Sequence, residues 1–147
     1  WSTAMVDHLL HRYGSGIRDL TAAIEEQPDL AKPLEHASAY LRAEIHFAAT
    51  HEQVIHLEDL LLHRTRLSYE VADAGRAALD EILAIVAPVL GWDEAKVAAE
   101  KASYIARCDA TDAAALASTD AEAEAARKLA ADVAPMQPLQ PAEVHEA

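Results

Sequence analysis

The sequence predicts an all-α protein: a compact bundle of about six helices with an acidic, alanine-rich C-terminal helix and a proline-rich tail. Three observations support this prediction. The 147 residues include only four glycines and six prolines, so the residues that interrupt helices are scarce. Hydrophobic residues make up 52% of the chain and aromatic residues only 5%, which indicates an aliphatic core. Apolar residues also recur at helical spacing between short breaks.

Four helices are predicted in the first half of the chain, over residues 2–13, 15–27, 39–52 and 56–66. Ser2 and Ser15 stand where each could cap a helix through its hydroxyl. Gly14 suits a helix end, and Pro28 cannot continue the second helix. The stretch 67–72 is the one segment that could form a short strand.

Two further helices complete the predicted bundle. Asp73 should cap the fifth, which ends at Gly91 and should bend near Pro88, because proline removes a backbone hydrogen bond and crowds the preceding turn. Asp93 should cap the sixth, which reaches about Cys108.

The chain is predicted to divide into a helical accessory domain, 1–108, and an acidic appendage, 109–147. The appendage holds eight Asp and Glu residues against two Lys and Arg residues, so it is the more densely acidic part. A helix over 112–134 has little apolar surface to bury. The residues from 135 onward contain three prolines, which favours an extended tail.

The net charge of −13 argues against a broad nucleic-acid surface, which needs a basic face. No apolar run approaches the roughly 18 residues of a membrane span. The single cysteine, Cys108, cannot form an internal disulfide, so a reduced, cytoplasmic setting is expected. Because the chain begins at Trp1 and not at Met, we expect it to be a piece of a longer polypeptide.

Histidines suggest a metal site but do not fit its spacing. His51, Glu52 and His56 resemble the zinc motif H-E-x-x-H with one residue too many, which turns the second histidine roughly 140° away from the first on a helix. We therefore predict structural roles and no metal ligand. A metal-binding bundle stays an alternative, with the candidate ligands His8, His11, His46, His51 and His56.

The one basic concentration is His63-Arg64-Thr65-Arg66. It could cap a helix and form salt bridges on it, or it could bind an anion or a neighbouring domain. The glycines at 14–16 nearly match G-x-G-x-x-G, but they follow a predicted helix and not a strand, which argues against dinucleotide binding. The residues alone therefore predict no catalytic, cofactor-binding or metal-binding side chain.

Four segments, at 7–15, 40–52, 56–67 and 87–94, together resemble a known family. The first holds H-L-x-x-R-Y-G at 8–14, the second ends in His51-Glu52, and the third holds L-x-D-x-L-x-H-R-T at 57–65. In this order they resemble the C-terminal domain of aerobic, FAD-dependent glycerol-3-phosphate dehydrogenases, over about residues 7–107. The family usually has two arginines before the threonine, whereas His63 precedes Arg64 here, which makes the basic patch pH-dependent.

The resemblance implies a parent flavoprotein that oxidises sn-glycerol 3-phosphate to dihydroxyacetone phosphate and passes electrons through FAD to a quinone. Flavin and substrate would bind an upstream domain of the same polypeptide, and this fragment would pack on that domain without a catalytic site or cofactor of its own. A homodimer and peripheral contact with the inner face of the membrane are also expected. The resemblance implies an interdomain or structural role for the residues that match the family motifs, which are His51, Glu52, Arg64, Thr65 and Arg66. The alternative is a free-standing helical protein-interaction module.

Overall fold

Helices dominate a computed structural model of the protein, which describes residues 1–133 and confirms the predicted all-α class. Seven α-helices occur in this range: α1 (Thr3–Tyr13), α2 (Ile17–Glu26), α3 (Arg42–His51), α4 (Leu67–Glu70), α5 (Leu79–Leu90), α6 (Glu94–Ala115) and α7 (Asp120–Arg127). The predicted tail from residue 135 lies outside the described residues. The single helix predicted over 112–134 is wrong, because residues 116–119 separate α6 from α7 and α7 ends at Arg127.

A small antiparallel hairpin stands where the third helix was predicted to begin. Strand β1 (Pro33–Leu34) pairs with β2 (Ala37–Leu41), so α3 starts three residues later than expected. The Glu44 carboxylate accepts the Leu41 backbone N–H at 2.7 Å, which caps the helix at that residue. The extended stretch considered at 67–72 is wrong, because α4 occupies 67–70.

The predicted fourth helix is mostly a π-helix, Asp59–Arg64. Its wide turn closes where both the backbone N–H and the hydroxyl of Thr65 donate to the carbonyl of Leu60, at 2.9 and 2.8 Å. Arg66 then adopts a left-handed conformation, with φ of 62°, before α4 begins. π-Helices are rare, and those that occur are frequently found at functional sites.

Several helix ends lie where the sequence predicted them. The Ser2 hydroxyl accepts the N–H of Met5 at 3.2 Å, and the Asp93 carboxylate accepts the N–H of Lys96 at 2.7 Å. Gly14 and Gly91 have positive φ at the ends of α1 and α5. These ends confirm that local capping chemistry sets the helix boundaries.

Three details of the helix ends differ from prediction. Ser15 caps nothing, because it lies inside a 3₁₀ turn, Gly14–Gly16, and α2 begins only at Ile17. Asp73 accepts the backbone N–H groups of Gly75 and Ala77, and so caps the 3₁₀ turn that leads into α5. The sixth helix continues through residue 108 to Ala115.

Two apolar clusters form the core, and α3 contributes to both. The smaller cluster joins α1, α2 and the start of α3 through Leu9, Leu20 and Ala43. The larger one joins the rest of α3 to the π-helix, α5 and α6, with Ile45 and Leu60 fully buried in it. Helix α7 packs against α6. None of the helices within residues 1–133 is both long and apolar enough to cross a membrane.

Candidate functional site

The first polar cluster surrounds Glu44, which is fully buried. Its carboxylate accepts hydrogen bonds from the Leu41 N–H at 2.7 Å and the Tyr13 hydroxyl at 3.0 Å, and it contacts Nε2 of His8 at 2.7 Å. Burial, and then the adjacent Glu44 charge, raise the pKa of Tyr13 far above its ordinary value. The Glu44 carboxylate is thus fully engaged in joining α1, β2 and α3, which indicates a structural role.

A second set of contacts connects α1 to the π-helix. The guanidinium of Arg12 donates to the carbonyl of Arg64 at 2.7 Å and lies 5.8 Å from the ring centre of Tyr40. The Tyr40 hydroxyl lies 2.7 Å from the Thr65 carbonyl and also contacts the Glu70 carboxylate. Burial, and then Glu70, raise the pKa of Tyr40. These contacts set the position of residues 64–65, two of the five positions that match the family motifs.

The structure brings three of the five motif residues to one surface. His51, Glu52 and Arg64 line an open polar concavity of about 370 Å³ together with Gln53 and His63. We call these five residues the Glu52–Arg64 face. Thr65 is instead fully buried and closes the π-helix, and Arg66 is exposed beyond it and does not line the concavity.

The charged groups of the Glu52–Arg64 face are partly buried without hydrogen-bond partners in the described part of the chain. Oε2 of Glu52 and Nε of Arg64 are both inaccessible to solvent and have no hydrogen-bond partner among residues 1–133. Burial raises the pKa of Glu52, although the neighbouring Arg64, Arg12 and His51 side chains act in the opposite direction. The His51 ring stacks on Phe47 with centroids 4.6 Å apart and planes 9° from parallel.

A third polar cluster surrounds Glu100 on α6, which sequence reasoning missed. Its carboxylate accepts the Leu57 N–H at 2.8 Å, contacts Nδ1 of His56 at 2.9 Å, and pairs with Lys96 at 2.6 Å. The i, i+4 spacing of Lys96 and Glu100 was visible in the sequence. The contact with residues 56–57 had no sequence signal, because 43 residues separate Leu57 from Glu100.

The Glu100 cluster predicts a specific pH dependence. Burial alone would raise the pKa of Glu100, but hydrogen bonds from Lys96, His56 and the Leu57 N–H outweigh burial and lower it. A lowered folded-state pKa means that the ionised carboxylate contributes stability above the unfolded-state pKa, and that this contribution is lost as the pH falls through the folded-state pKa.

We therefore expect Glu100→Gln to lower the free energy of unfolding by about 1–3 kcal/mol at neutral pH and by less in acid. Urea denaturation at a series of pH values from about 7 to 3, across the carboxyl range, measures this difference. Glu25→Gln, on the exposed side of α2, is the matched control. Its free energy of unfolding should equal that of the unsubstituted chain at every pH. An equal loss of stability for Glu100→Gln at every pH would contradict the assignment.

Three of the five histidines considered as metal ligands are used in separate contacts. His8 contacts Glu44, His56 contacts Glu100, and Nδ1 of His11 lies 2.7 Å from its own helix backbone at Asp7. Among residues 1–133, no group of three or more His, Cys, Asp or Glu residues is arranged to hold a metal ion. Cys108 is buried, and burial raises the pKa of its thiol, which disfavours the reactive thiolate.

With this geometry in place, sequence comparison identifies the family. Residues 1–97 match the family model of the C-terminal domain of alpha-glycerophosphate oxidase. The chain belongs to this family. The match includes the Glu44 cluster and the whole Glu52–Arg64 face, and it ends inside α6. The hairpin that α6 forms with α7 therefore extends beyond the matched alpha-glycerophosphate oxidase C-terminal domain.

Curated relatives of this family member are glycerol-3-phosphate dehydrogenases. One from Mycobacterium leprae is 45% identical over 105 residues, which is 71% of this chain and 18% of the relative. Glycerol-3-phosphate dehydrogenase 2 of Mycobacterium tuberculosis is 44% identical over the same coverage. A mitochondrial enzyme of Arabidopsis thaliana is 34% identical over 64% of this chain and 15% of its own length. The chain thus spans less than a fifth of these relatives, and no solved structure matches it.

Proposed function

We propose that this chain is the C-terminal accessory domain of an FAD-dependent glycerol-3-phosphate dehydrogenase. The parent polypeptide would oxidise sn-glycerol 3-phosphate to dihydroxyacetone phosphate and pass the electrons through FAD to a quinone. The observation that supports this is the family match over residues 1–97, together with 45% identity to a glycerol-3-phosphate dehydrogenase over 105 residues. Because the chain corresponds to only 18% of that relative, the activity would belong to the longer polypeptide.

The residues described here do not fit an FAD site. A dinucleotide cradle needs a glycine-rich turn between a strand and a helix, where backbone N–H groups approach the pyrophosphate. The glycine-rich segment of this chain, Gly14–Gly16, is a 3₁₀ turn that follows α1. We therefore propose that FAD and substrate bind an upstream domain of the parent polypeptide, and that no residue of this chain takes part in the chemical step.

Hydrogen bonds of buried polar residues connect separate segments of the chain and should make the domain rigid. Glu44, Thr65 and Glu100 are the charged or polar residues buried within 1–133. Each is hydrogen-bonded to another segment: Glu44 to Tyr13, the Thr65 carbonyl to the Tyr40 hydroxyl, and Glu100 to the Leu57 N–H. Such fully satisfied clusters hold a domain in one arrangement. We propose that this rigid domain packs on the catalytic domain of a homodimeric enzyme in the cytoplasm, at the inner face of the membrane where the quinone is reached.

The test is to express the complete gene product that contains this chain, and the 147-residue chain separately. We expect the complete protein to bind FAD and to reduce a quinone analogue with glycerol 3-phosphate. The separate chain should be colourless and inactive. A complete protein that binds no flavin or does not oxidise glycerol 3-phosphate would refute the proposed function. Flavin binding by the separate chain would refute the accessory role.

A further inference from the structure

The Glu52–Arg64 face contains two opposite charges that have no partner among residues 1–133. The carboxylate of Glu52 makes no hydrogen bond and no ion pair with residues 1–133, and neither does the guanidinium of Arg64, although one polar atom of each is buried. Both side chains line the same concavity, yet they do not form an ion pair with each other. Charged groups that are partly removed from water without a partner destabilise a protein, so such an arrangement indicates a missing partner.

Other arginines among residues 1–133 also have a buried Nε without a hydrogen-bond partner, but their charges are neutralised by ion pairs. Arg107 lies 3.7 Å from Glu58 and 3.1 Å from Asp132, so its charge is neutralised although its Nε has no hydrogen-bond partner. Arg76 likewise pairs with two aspartates of α6. The Glu52–Arg64 face is therefore distinguished by having both signs of charge unpaired at one place.

The backbone of this face is held in an uncommon conformation. Gln53, which lies between α3 and the π-helix and lines the concavity, has a φ of 54°. This left-handed region is unfavourable for a residue with a side chain, and such residues concentrate at functional sites. The adjacent His51 ring is stacked on Phe47, and the Arg64 carbonyl is held by Arg12. The face is thus shaped before any partner arrives, which reduces the entropic cost of binding.

We propose that the Glu52–Arg64 face is the docking surface for the catalytic domain of the parent polypeptide, which supplies a neutral peptide or carboxamide group to it. The N–H of that group would donate to Glu52 and its carbonyl would accept from Arg64. A neutral dipolar group fits because it can donate to the Glu52 carboxylate and accept from the Arg64 guanidinium, whereas a charged partner would be attracted by one of these groups and repelled by the other. This inference rests on the proposed function.

The position of the face supports this occupant. All five of its residues lie within the matched residues 1–97, the part shared with enzymes that are more than five times as long as the matched segment. Most of each relative therefore lies outside this chain and is available as a partner. The α7 helix lies beyond residue 97, and its hairpin residues line a different concavity around Arg107 and Lys128.

Hydrogen exchange of the complete gene product tests the docking surface. The Gln53 and Val54 amides follow the end of α3. Their exchange rates are compared between the complete unsubstituted protein and the same protein carrying Glu52→Gln/Arg64→Gln. We expect exchange at these amides to be about tenfold faster in the variant, because undocking exposes them. The control is Glu124→Gln/Lys128→Gln, which removes an exposed i, i+4 pair on α7 and should leave exchange at 53–54 unchanged.

A second measurement keeps the test valid if the double variant folds poorly. Charge-retaining Arg64→Lys removes the Nε donor but keeps the positive charge, and it should also accelerate exchange at 53–54 and proteolysis between the domains. Unchanged exchange and proteolysis in both variants would overturn the docking surface, as would acceleration of equal size in the α7 control. If the complete protein oxidises glycerol 3-phosphate but the variants show unchanged exchange and proteolysis, the docking proposal fails while the proposed function stands. If it shows the expected exchange but no oxidation, the function fails and the interface stands.

Discussion

Replacing Glu44 with alanine is expected to lower the free energy of unfolding by about 3–5 kcal/mol, a large fraction of the roughly 5–15 kcal/mol of a typical domain. The substitution leaves the Leu41 N–H and the Tyr13 hydroxyl without their acceptor at a position where Glu44 is fully buried. It also removes the contact with His8, so α1 would lose its polar attachment to α3. Urea denaturation followed by circular dichroism at neutral pH measures the change.

Two controls separate the Glu44 cluster from a general effect of losing a carboxylate. Glu25→Ala, on the exposed side of α2, should change the stability little. Tyr13→Phe removes one donor and keeps the ring, so its effect should be about 0.5–1.5 kcal/mol. The assignment fails if Glu44→Ala is no more destabilising than Glu25→Ala.

Gly75→Ala is expected to destabilise the fold by about 2–4 kcal/mol, because two separate effects combine. Gly75 has a φ of 76°, a conformation that a residue with a Cβ rarely adopts. An added Cβ would also clash with Cδ2 of Leu67, whose side chain is fully buried. Relief of this clash requires a different Leu67 rotamer within the packed core, or movement of α4 or of the turn before α5.

Gly91 provides a matched control for the two effects. It has a φ of 66°, but a Cβ added there would meet nothing within 4 Å. Gly91→Ala should therefore show only the backbone term, about 1–2 kcal/mol, and the difference between the two variants isolates the clash with Leu67. Thermal or urea unfolding of both variants gives this difference directly. Equal losses of stability would show that Leu67 moves aside without penalty.

Helix ends were the most predictable part of the fold. Ser2, Gly14, Gly91 and Asp93 act where expected, because a cap or a left-handed glycine involves only residues within one turn. Family membership was also readable, since the order of short motifs over 7–107 is a property of the sequence alone. These features need no knowledge of how distant segments pack.

Apolar spacing predicted the wrong secondary structure where a distant strand or an alternative hydrogen bond determines the backbone conformation. Residues 37–41 form a strand because they pair with β1, and 59–64 form a π-helix because Thr65 reaches the Leu60 carbonyl. Both segments have apolar spacing compatible with an α-helix. The apolar residues Leu57, Leu60 and Leu61 are buried, as they would be on one face of an α-helix, but the backbone around them forms a different hydrogen-bond pattern.

The helical class, the main capping residues and the family follow from the sequence alone, because each depends on neighbouring residues or on motif order. Which buried carboxylate meets which donors depends on the folded arrangement, as does the placement of Glu52 and Arg64 on one face without Thr65 and Arg66. Separation along the chain explains this difference. Glu44 and His8 are 36 residues apart, and Glu100 and Leu57 are 43 apart, so their contacts exist only after the two apolar clusters bring the helices together.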